Sequence, residues 1–298
     1  MPHNEQFELL ASIEPTVQAL IDDHHERRKH WYYHDVVPWE RGESYRDKPW
    51  EESQCTISER ARTSLVLNLL TEDNLPWYHL ALAKYLPEGS VWNDWTRTWT
   101  AEEGQHAIAI RSWLVVSRNC DPYQLEDDRM ATMTSGWEPH WEAPAEVFAY
   151  TTAQELATRV SHRNAGKITD DESAFELMRN IAQDENHHFV FYRGVMTEMV
   201  KQAPSVVLEA IYKTLSSFEM PGVGIPGFLR RSIEIAKAGV YNLRVHHDRV
   251  LKPLLEYWNI ANLKGLTPKA AEIQEKLMEL PRAIELKAER FEARFGLA

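Results

Sequence analysis

Apolar positions along this chain recur every three to four residues, the period of a helix rather than of a strand. Residues 4–30 predict a first helix, with Pro15 at an internal start or kink. Residues 32–52, YYHDVVPWERGESYRDKPWEE, are rich in proline and aromatics and predict an ordered but irregular segment. Long helices are expected at roughly 56–86, 90–118, 142–165 and 170–200, with no element assigned to 119–141. Two or three further helices are expected over 204–260, interrupted by MPGVGIPG at 220–227. A last helical stretch over 268–294 follows Gly265-Leu266-Thr267-Pro268. No segment alternates as a half-buried strand would. The expected fold class is therefore all-α, one domain over 1–298 built on a central bundle with additional flanking helices.

Polar residues interrupt the apolar faces at a few places, and these carry the chemistry. Two Glu-x-x-His motifs occur, Glu103-Gly104-Gln105-His106 and Glu185-Asn186-His187-His188. On a helix, positions i and i+3 share a face, so each motif aims a carboxylate and an imidazole the same way. Trp99, Ile110 and Trp113 share the face of the first motif, and Ile181, Tyr192 and Val195 share that of the second. A carboxylate on a core face costs several kcal/mol unless it is paired, protonated or bound to a cation. Either motif alone is more simply read as a surface pair or a satisfied core histidine.

Two further acids repeat the arrangement. Glu72 precedes Glu103 by 31 residues, and Glu155 precedes Glu185 by 30. Two similar hairpins result, each giving Glu from one helix and Glu-x-x-His from the next. Paired in a four-helix bundle, they supply the ligand set of the ferritin-like di-iron or di-manganese carboxylate proteins. Four carboxylates balance two divalent cations, and the imidazole–carboxylate mixture suits iron or manganese over magnesium or calcium. Two iron ions are the expected cofactor, with manganese the second choice. Pro76 cannot donate to the carbonyl of Glu72, so the backbone should be irregular beside that residue. His187 lies about 100° around the helix from His188 and is not expected among the ligands. Trp92, Trp95 and Trp99 read as core rather than as an electron path.

Composition narrows the function. The net charge is −12 and no block is strongly basic, which argues against broad nucleic-acid binding. Cys55 and Cys120 form no CxxC pair and suggest no disulfide framework, as expected in a reducing compartment. No apolar run is long enough to span a membrane, and MPHNEQFELL lacks the basic-then-apolar pattern of a signal peptide. The cytoplasm is the expected location.

Several segments resemble the soluble acyl-carrier-protein desaturases. Thr71-Glu72-Asp73-Asn74-Leu75-Pro76 is similar to that family's TEEALP, and residues 95–103, WTRTWTAEE, to its WTRAWTAEE, with His106 in the expected place. Asp184-Glu185-Asn186-His187-His188 resembles its DEKRH; Gly265-Leu266-Thr267 and Leu280-Pro281-Arg282 resemble its closing segments. The similarity runs from about residue 8 to 293 and is of the bacterial, especially actinobacterial, kind, with no plastid transit peptide. It implies one iron held chiefly by Glu72, Glu103 and His106. It also implies bridging by Glu103 and Glu185, and a second iron completed by Glu155 and His188. By the same resemblance Asp184 supports a ligand from behind, with Trp31 hydrogen-bonded through it. Thr158, one turn after Glu155, is a candidate to hydrogen-bond an oxygen species in the site; a helix-capping or core Thr is the alternative. The implied activity is oxygen-dependent introduction of a cis double bond into an acyl chain carried on acyl carrier protein. A ferredoxin-type donor would supply electrons, and the family is expected to form homodimers. An acidic carrier needs a locally basic rim, for which Arg230, Arg231, Lys237, Arg244, Arg249 and Lys252 are candidates. Two departures stand out: Leu156-Ala157 replaces the plant Arg-Ala, and MPGVGIPG departs from the plant sequence after Met-Pro. The competing readings are a non-enzymatic ferritin-type iron protein, a di-metal oxygenase with another substrate, and a desaturase relative that only binds acyl carriers.

Overall fold

The computed structural model describes residues 2–222 and 224–297; Val223, within the MPGVGIPG segment, lies outside the described residues. All regular structure among the described residues is helical. Four helices, α3 (Glu59–Glu72), α5 (Val91–Val116), α7 (Pro144–Lys167) and α8 (Glu172–Gln202), form the bundle. Contacts run α3 to α5, α5 to α8, α8 to α7 and α7 back to α3, closing a ring around one interior. The first helix, α1 (Pro2–Arg27), lies across α8, α5 and α7. It runs through Pro15 without the expected interruption. The last, α13 (Pro268–Phe295), packs outside the ring against α9 (Pro204–Ser216).

The ends of these helices follow from local chemistry. Ser58, Asp171 and Thr267 cap α3, α8 and α13 by accepting hydrogen bonds from backbone N–H groups in the first turn. The bundle-facing side of α5 reads Trp92, Trp95, Trp99, Glu103, His106, Ile110 and Trp113, all buried. This stripe steps by three and four, so an imidazole and a carboxylate stand where apolar side chains would. Trp95 stacks on Phe191 of α8 at 3.5 Å between ring centroids and fixes the two helices side by side.

Two expectations need correction. The single helix over 56–86 is two, α3 ending at Glu72 and α4 (Leu75–Ala83) beginning three residues later. Pro76 has no N–H and cannot continue the ladder, so Asp73 and Asn74 turn the chain at the carboxylate-bearing end of α3. Residues 119–141, to which the periodicity assigned nothing, contain α6 (Pro122–Ser135). Its start combines Pro122 in the first turn with Asp121, whose carboxylate accepts from the N–H groups of Tyr123 and Gln124. The segment 32–52 holds one short helix, α2 (Tyr33–Val36), and a 3-10 turn over Trp39–Arg41, and is otherwise irregular as expected. Its order comes from buried Arg118, whose guanidinium donates to Gln54 Oε1 and to the carbonyls of Glu43, Lys48 and Pro49.

Near the C-terminal side, α10 (Phe228–Lys237) and α11 (Leu243–His246) lead into a π turn over His247–Leu251 and then α12 (Lys252–Tyr257). Pro253 cannot donate to the carbonyl of Arg249, and the widened turn accommodates that loss. His246 is buried here, with its Nδ1 2.9 Å from the Tyr241 hydroxyl and its ring stacked on Phe218. Burial, with His247 beside it, pushes its pKa down to about 4.

His246 is therefore neutral in the fold and protonated in the unfolded chain between pH 4 and 6.5. Its contribution is complete above pH 6.5 and is lost as pH falls towards 4, amounting to at most about 3 kcal/mol. His246→Gln should flatten the dependence of unfolding free energy on pH across that window, whatever its effect at neutral pH. Denaturant titrations at stepped pH read this directly; an unchanged slope would remove His246 from the account.

Candidate metal centre

Six side chains meet inside the ring. Glu72 comes from the last residue of α3, Glu103 and His106 from α5, Glu155 from α7, and Glu185 and His188 from α8. All six are buried; His106, Glu155 and His188 are 0% exposed. They form two groups able to hold a metal ion, Glu72–Glu103–His106–Glu185 and Glu103–Glu155–Glu185–His188. Within each group one ligand atom per residue lies within 4.8 Å of the others.

The atom-level geometry distinguishes shared from terminal carboxylates. His106 Nδ1 lies 3.2 Å from Glu103 Oε2, 3.5 Å from Glu185 Oε1 and 3.7 Å from Glu72 Oε2. His188 Nδ1 lies 2.8 Å from Glu103 Oε1, 3.8 Å from Glu185 Oε2 and 3.7 Å from Glu155 Oε2. Glu103 and Glu185 thus turn one oxygen to each imidazole, while Glu72 and Glu155 each serve one side.

The donor set fits a pair of cations. Glu103 Oε1, His106 Nδ1, Glu155 Oε2, Glu185 Oε2 and His188 Nδ1 are buried and have no hydrogen-bond partner. Other buried atoms without a partner are scattered through the core, but these five converge on one point. The electrostatics agree. Burial, and next the charge of Glu185, push the Glu155 carboxyl well up, and the same two causes raise Glu103. Burial also opposes ionisation of Glu72 and Glu185. The neighbouring imidazoles of His106 and His162 nevertheless hold Glu72 low, and those of His162 and His188 hold Glu185 well down. Without a cation the cluster cannot carry four negative charges, so protons take the cation's place.

A second layer holds the imidazoles from behind. His106 Nε2 faces Asp184 Oδ2 at 3.4 Å, and Trp31 Nε1 donates to the same oxygen at 2.8 Å. His188 Nε2 faces Glu102 Oε2 at 2.9 Å, and His24 Nε2 reaches Glu102 at 3.0 Å. The two halves mirror each other: the acid before one motif supports the histidine of the other. Such partners fix the imidazole tautomer and leave Nδ1 free to ligate.

The structure brings Trp31 and Asp184 together, and beside them Glu102, His24, Arg28 and His162, which sequence reasoning did not name. Glu102 precedes Glu103 as Asp184 precedes Glu185, a repeat that could have been read. His162 stands two turns after Glu155 on the same face, and its Nε2 lies 3.0 Å from Glu72 Oε1 and 3.3 Å from Glu185 Oε1. His24 and Arg28 arrive from α1 and its end, which no local pattern reveals. His187 is outside the cluster, half-buried against His24. Trp92 and Trp95 are core, but Trp99 is more than that, because its indole N–H donates to Glu155 Oε1 at 3.0 Å. The Thr158 hydroxyl donates to the carbonyls of Gln154 and Glu155, while its side chain lines a small void shared with Glu72 and Glu103.

Wild-type protein stripped of metal and titrated with ferrous ion should take up about two ions per chain. Glu103→Ala, which removes a shared carboxylate, should reduce this to one or none while the helical circular dichroism persists. Glu102→Ala should weaken binding by about 10–100-fold, the cost typical of losing an outer partner. Full binding by Glu103→Ala would show that the cluster is not the metal centre.

Residues 5–297 match the model of the fatty acid desaturase family. Two Mycobacterium tuberculosis proteins are similar over most of the chain. One is named "putative acyl-(acyl-carrier-protein) desaturase DesA1" and is 37% identical over 297 residues, covering 96% of this chain and 88% of that one. The other, DesA2, is 28% identical over 261 residues, covering 87% and 94%. The spinach stearoyl-acyl-carrier-protein 9-desaturase is 28% identical over 307 residues, covering 96% of this chain and 77% of its own. The crystal structure of the M. tuberculosis DesA2 superimposes with a TM-score of 0.72 at 24% identity, over 89% of this chain and 99% of that one, which shows a common fold. A buried centre of four glutamates and two histidines, in an all-helical fold shared with DesA2 and a sequence matched from end to end, makes this chain a member of the soluble acyl-carrier-protein desaturase family.

Proposed function

We propose that this protein is a di-iron acyl-carrier-protein desaturase, with iron held by Glu72, Glu103, His106, Glu155, Glu185 and His188. The observation that carries the reading is the pair of four-residue clusters sharing Glu103 and Glu185. Imidazole with carboxylate suits iron, and a bound pair would supply the two-electron activation of dioxygen that removal of unactivated hydrogens requires. Overall, two adjacent methylenes each lose one hydrogen, and two electrons arrive from a ferredoxin-type donor. With two protons from solvent, dioxygen leaves as two waters.

The chain's own residues position the substrate and exclude water. Glu72, Glu103 and Thr158 line a void of about 10 Å³ with Tyr78, Trp99 and Pro221. Tyr78, Trp99 and Pro221 also line a second void of about 10 Å³, walled further by Trp137, Trp141 and Tyr150. Those last three face a surface cavity of about 620 Å³. The spaces lie in series, and each small void has room for about one water. An aliphatic chain along this line needs the aromatic neck to part. Trp137 and Trp141 stand on the irregular connection between α6 and α7, and Pro221 on the segment after α9, whereas Trp99 and Tyr150 belong to bundle helices α5 and α7. Of the cations considered for carrier docking, Arg231 pairs with Asp128, Lys237 with Glu234 and Arg244 with Glu292. Arg230, Arg249 and Lys252 are the stronger candidates for an acidic partner.

Reconstitution with ferrous iron, reductase, ferredoxin and acyl carrier proteins bearing 14- to 20-carbon chains tests the reading. A mono-unsaturated product is expected for at least one length. Iron-loaded protein that yields none at any length, while still reacting with dioxygen, would point to a different substrate. Trp141→Ala should move the preferred chain length upward by adding space along the aromatic neck, as the product profile would reveal.

A further inference from the structure

Arg28 follows α1 directly and is only 10% exposed at its side chain, yet it approaches no metal-ligating residue. Its Nη2 donates to Asp184 Oδ2 at 3.3 Å, and its Nε lies 3.2 Å from Glu102 Oε1. One guanidinium therefore spans the two carboxylates that stand behind His106 and His188. The same short segment contributes His24 to Glu102 and Trp31 to Asp184. Residues 24–31 touch both halves of the centre, and Arg28 alone among them touches both carboxylates.

Charge explains why a cation belongs there. Four carboxylates and two divalent metals sum to zero in the reading given above. Glu102 and Asp184 add two negative charges immediately behind, each passed towards a metal through an imidazole. An arginine stays protonated in any such setting and presents a planar fork able to span two acceptors. Nothing else among the described residues supplies a permanent positive charge to these two acids.

We propose that Arg28 is a positioning residue for the metal centre: a buried cation that ties the two outer carboxylates together and sets the potential of both metals at once. The inference rests on the di-iron reading. With Arg28 present, the carboxylates are partly neutralised and oriented. Without it, both imidazoles carry more negative charge, the oxidised metals are favoured and the midpoint potential falls.

The test begins with iron content and a redox titration of the wild-type protein; a wild type that binds no iron would sink the di-iron reading rather than this one. Arg28→Gln is expected to shift the midpoint to a more negative value and to weaken ferrous binding by about 10–100-fold. Arg28→Lys keeps the charge and should stay closer to wild type in potential. Because Arg28→Gln leaves two buried acids with less compensation, Glu102→Gln and the double variant complete a cycle. Glu102→Gln alone should raise the potential, and Arg28→Gln should lower it by less in that background than it does in the wild type. An iron-loaded Arg28→Gln protein with the wild-type potential, equal shifts in the Gln and Lys variants, or a cycle without coupling would each overturn the proposal.

Discussion

Four carboxylates buried in one pocket repel one another, and this repulsion is the constraint to which the rest of the molecule answers. The bundle interior gives them no water to screen the charge. Protons or cations must make up the difference: burial and the charge of Glu185 raise Glu103 and Glu155, while neighbouring imidazoles hold Glu72 and Glu185 low. A pair of divalent cations satisfies all four at once, because each carboxylate arrives with an oxygen already turned inward. Each acid comes from a different helix of the ring, so the same charges that would burst the bundle can also join its members.

The two halves of the centre are built alike. An acid, a shared glutamate and, three residues later, a histidine recur on α5 and α8, and each acid supports the histidine of the opposite helix. Crossed support of this kind ties the rotation of one helix to that of the other. A helix that turned about its axis would lose its own ligands and its neighbour's support together. His162, on α7, extends the pattern by bonding Glu72 and Glu185 across the ring. The end of α1 closes the arrangement from outside, with His24, Arg28 and Trp31 covering the outer acids. A few hydrogen bonds thus link the end of the first helix to the acids behind both histidines.

On the opposite side of the ligands the surroundings change from ionic to aromatic. Tyr78, Trp99, Trp137, Trp141 and Tyr150 separate the centre from the large surface cavity. Trp99 belongs to both environments, with its ring against the small voids and its N–H on Glu155. The division is physically apt for oxygen chemistry on an apolar substrate. In the proposed reading the charged side would hold the metals, and the aromatic wall on the other would keep water from the reacting atoms.

Periodicity and spacing determined much of this by themselves. Helical repeats located the bundle helices because amphipathic faces must be buried, and the two Glu-x-x-His motifs with Glu72 and Glu155 marked the inward positions. Pro76 marked an irregularity beside Glu72 because a missing N–H is a local fact, but that the helix ends there and a second one begins was not read. What stayed hidden was of two kinds. The helix at 122–135 has a weak apolar stripe, with only Leu125, Asp128 and Thr132 buried, so capping by Asp121 carries information that periodicity does not. His24, Arg28 and His162 depend on which helices lie side by side, and a sequence read along its own axis holds no direct record of that. Ligand identity follows from side-chain type and helical phase, which are local. The resemblance, not the spacing, implied the sharing of Glu103 and Glu185 and the place of Asp184 and Trp31; the crossed support by Glu102 and the cover from His24 and Arg28 follow only from packing four helices around one charge.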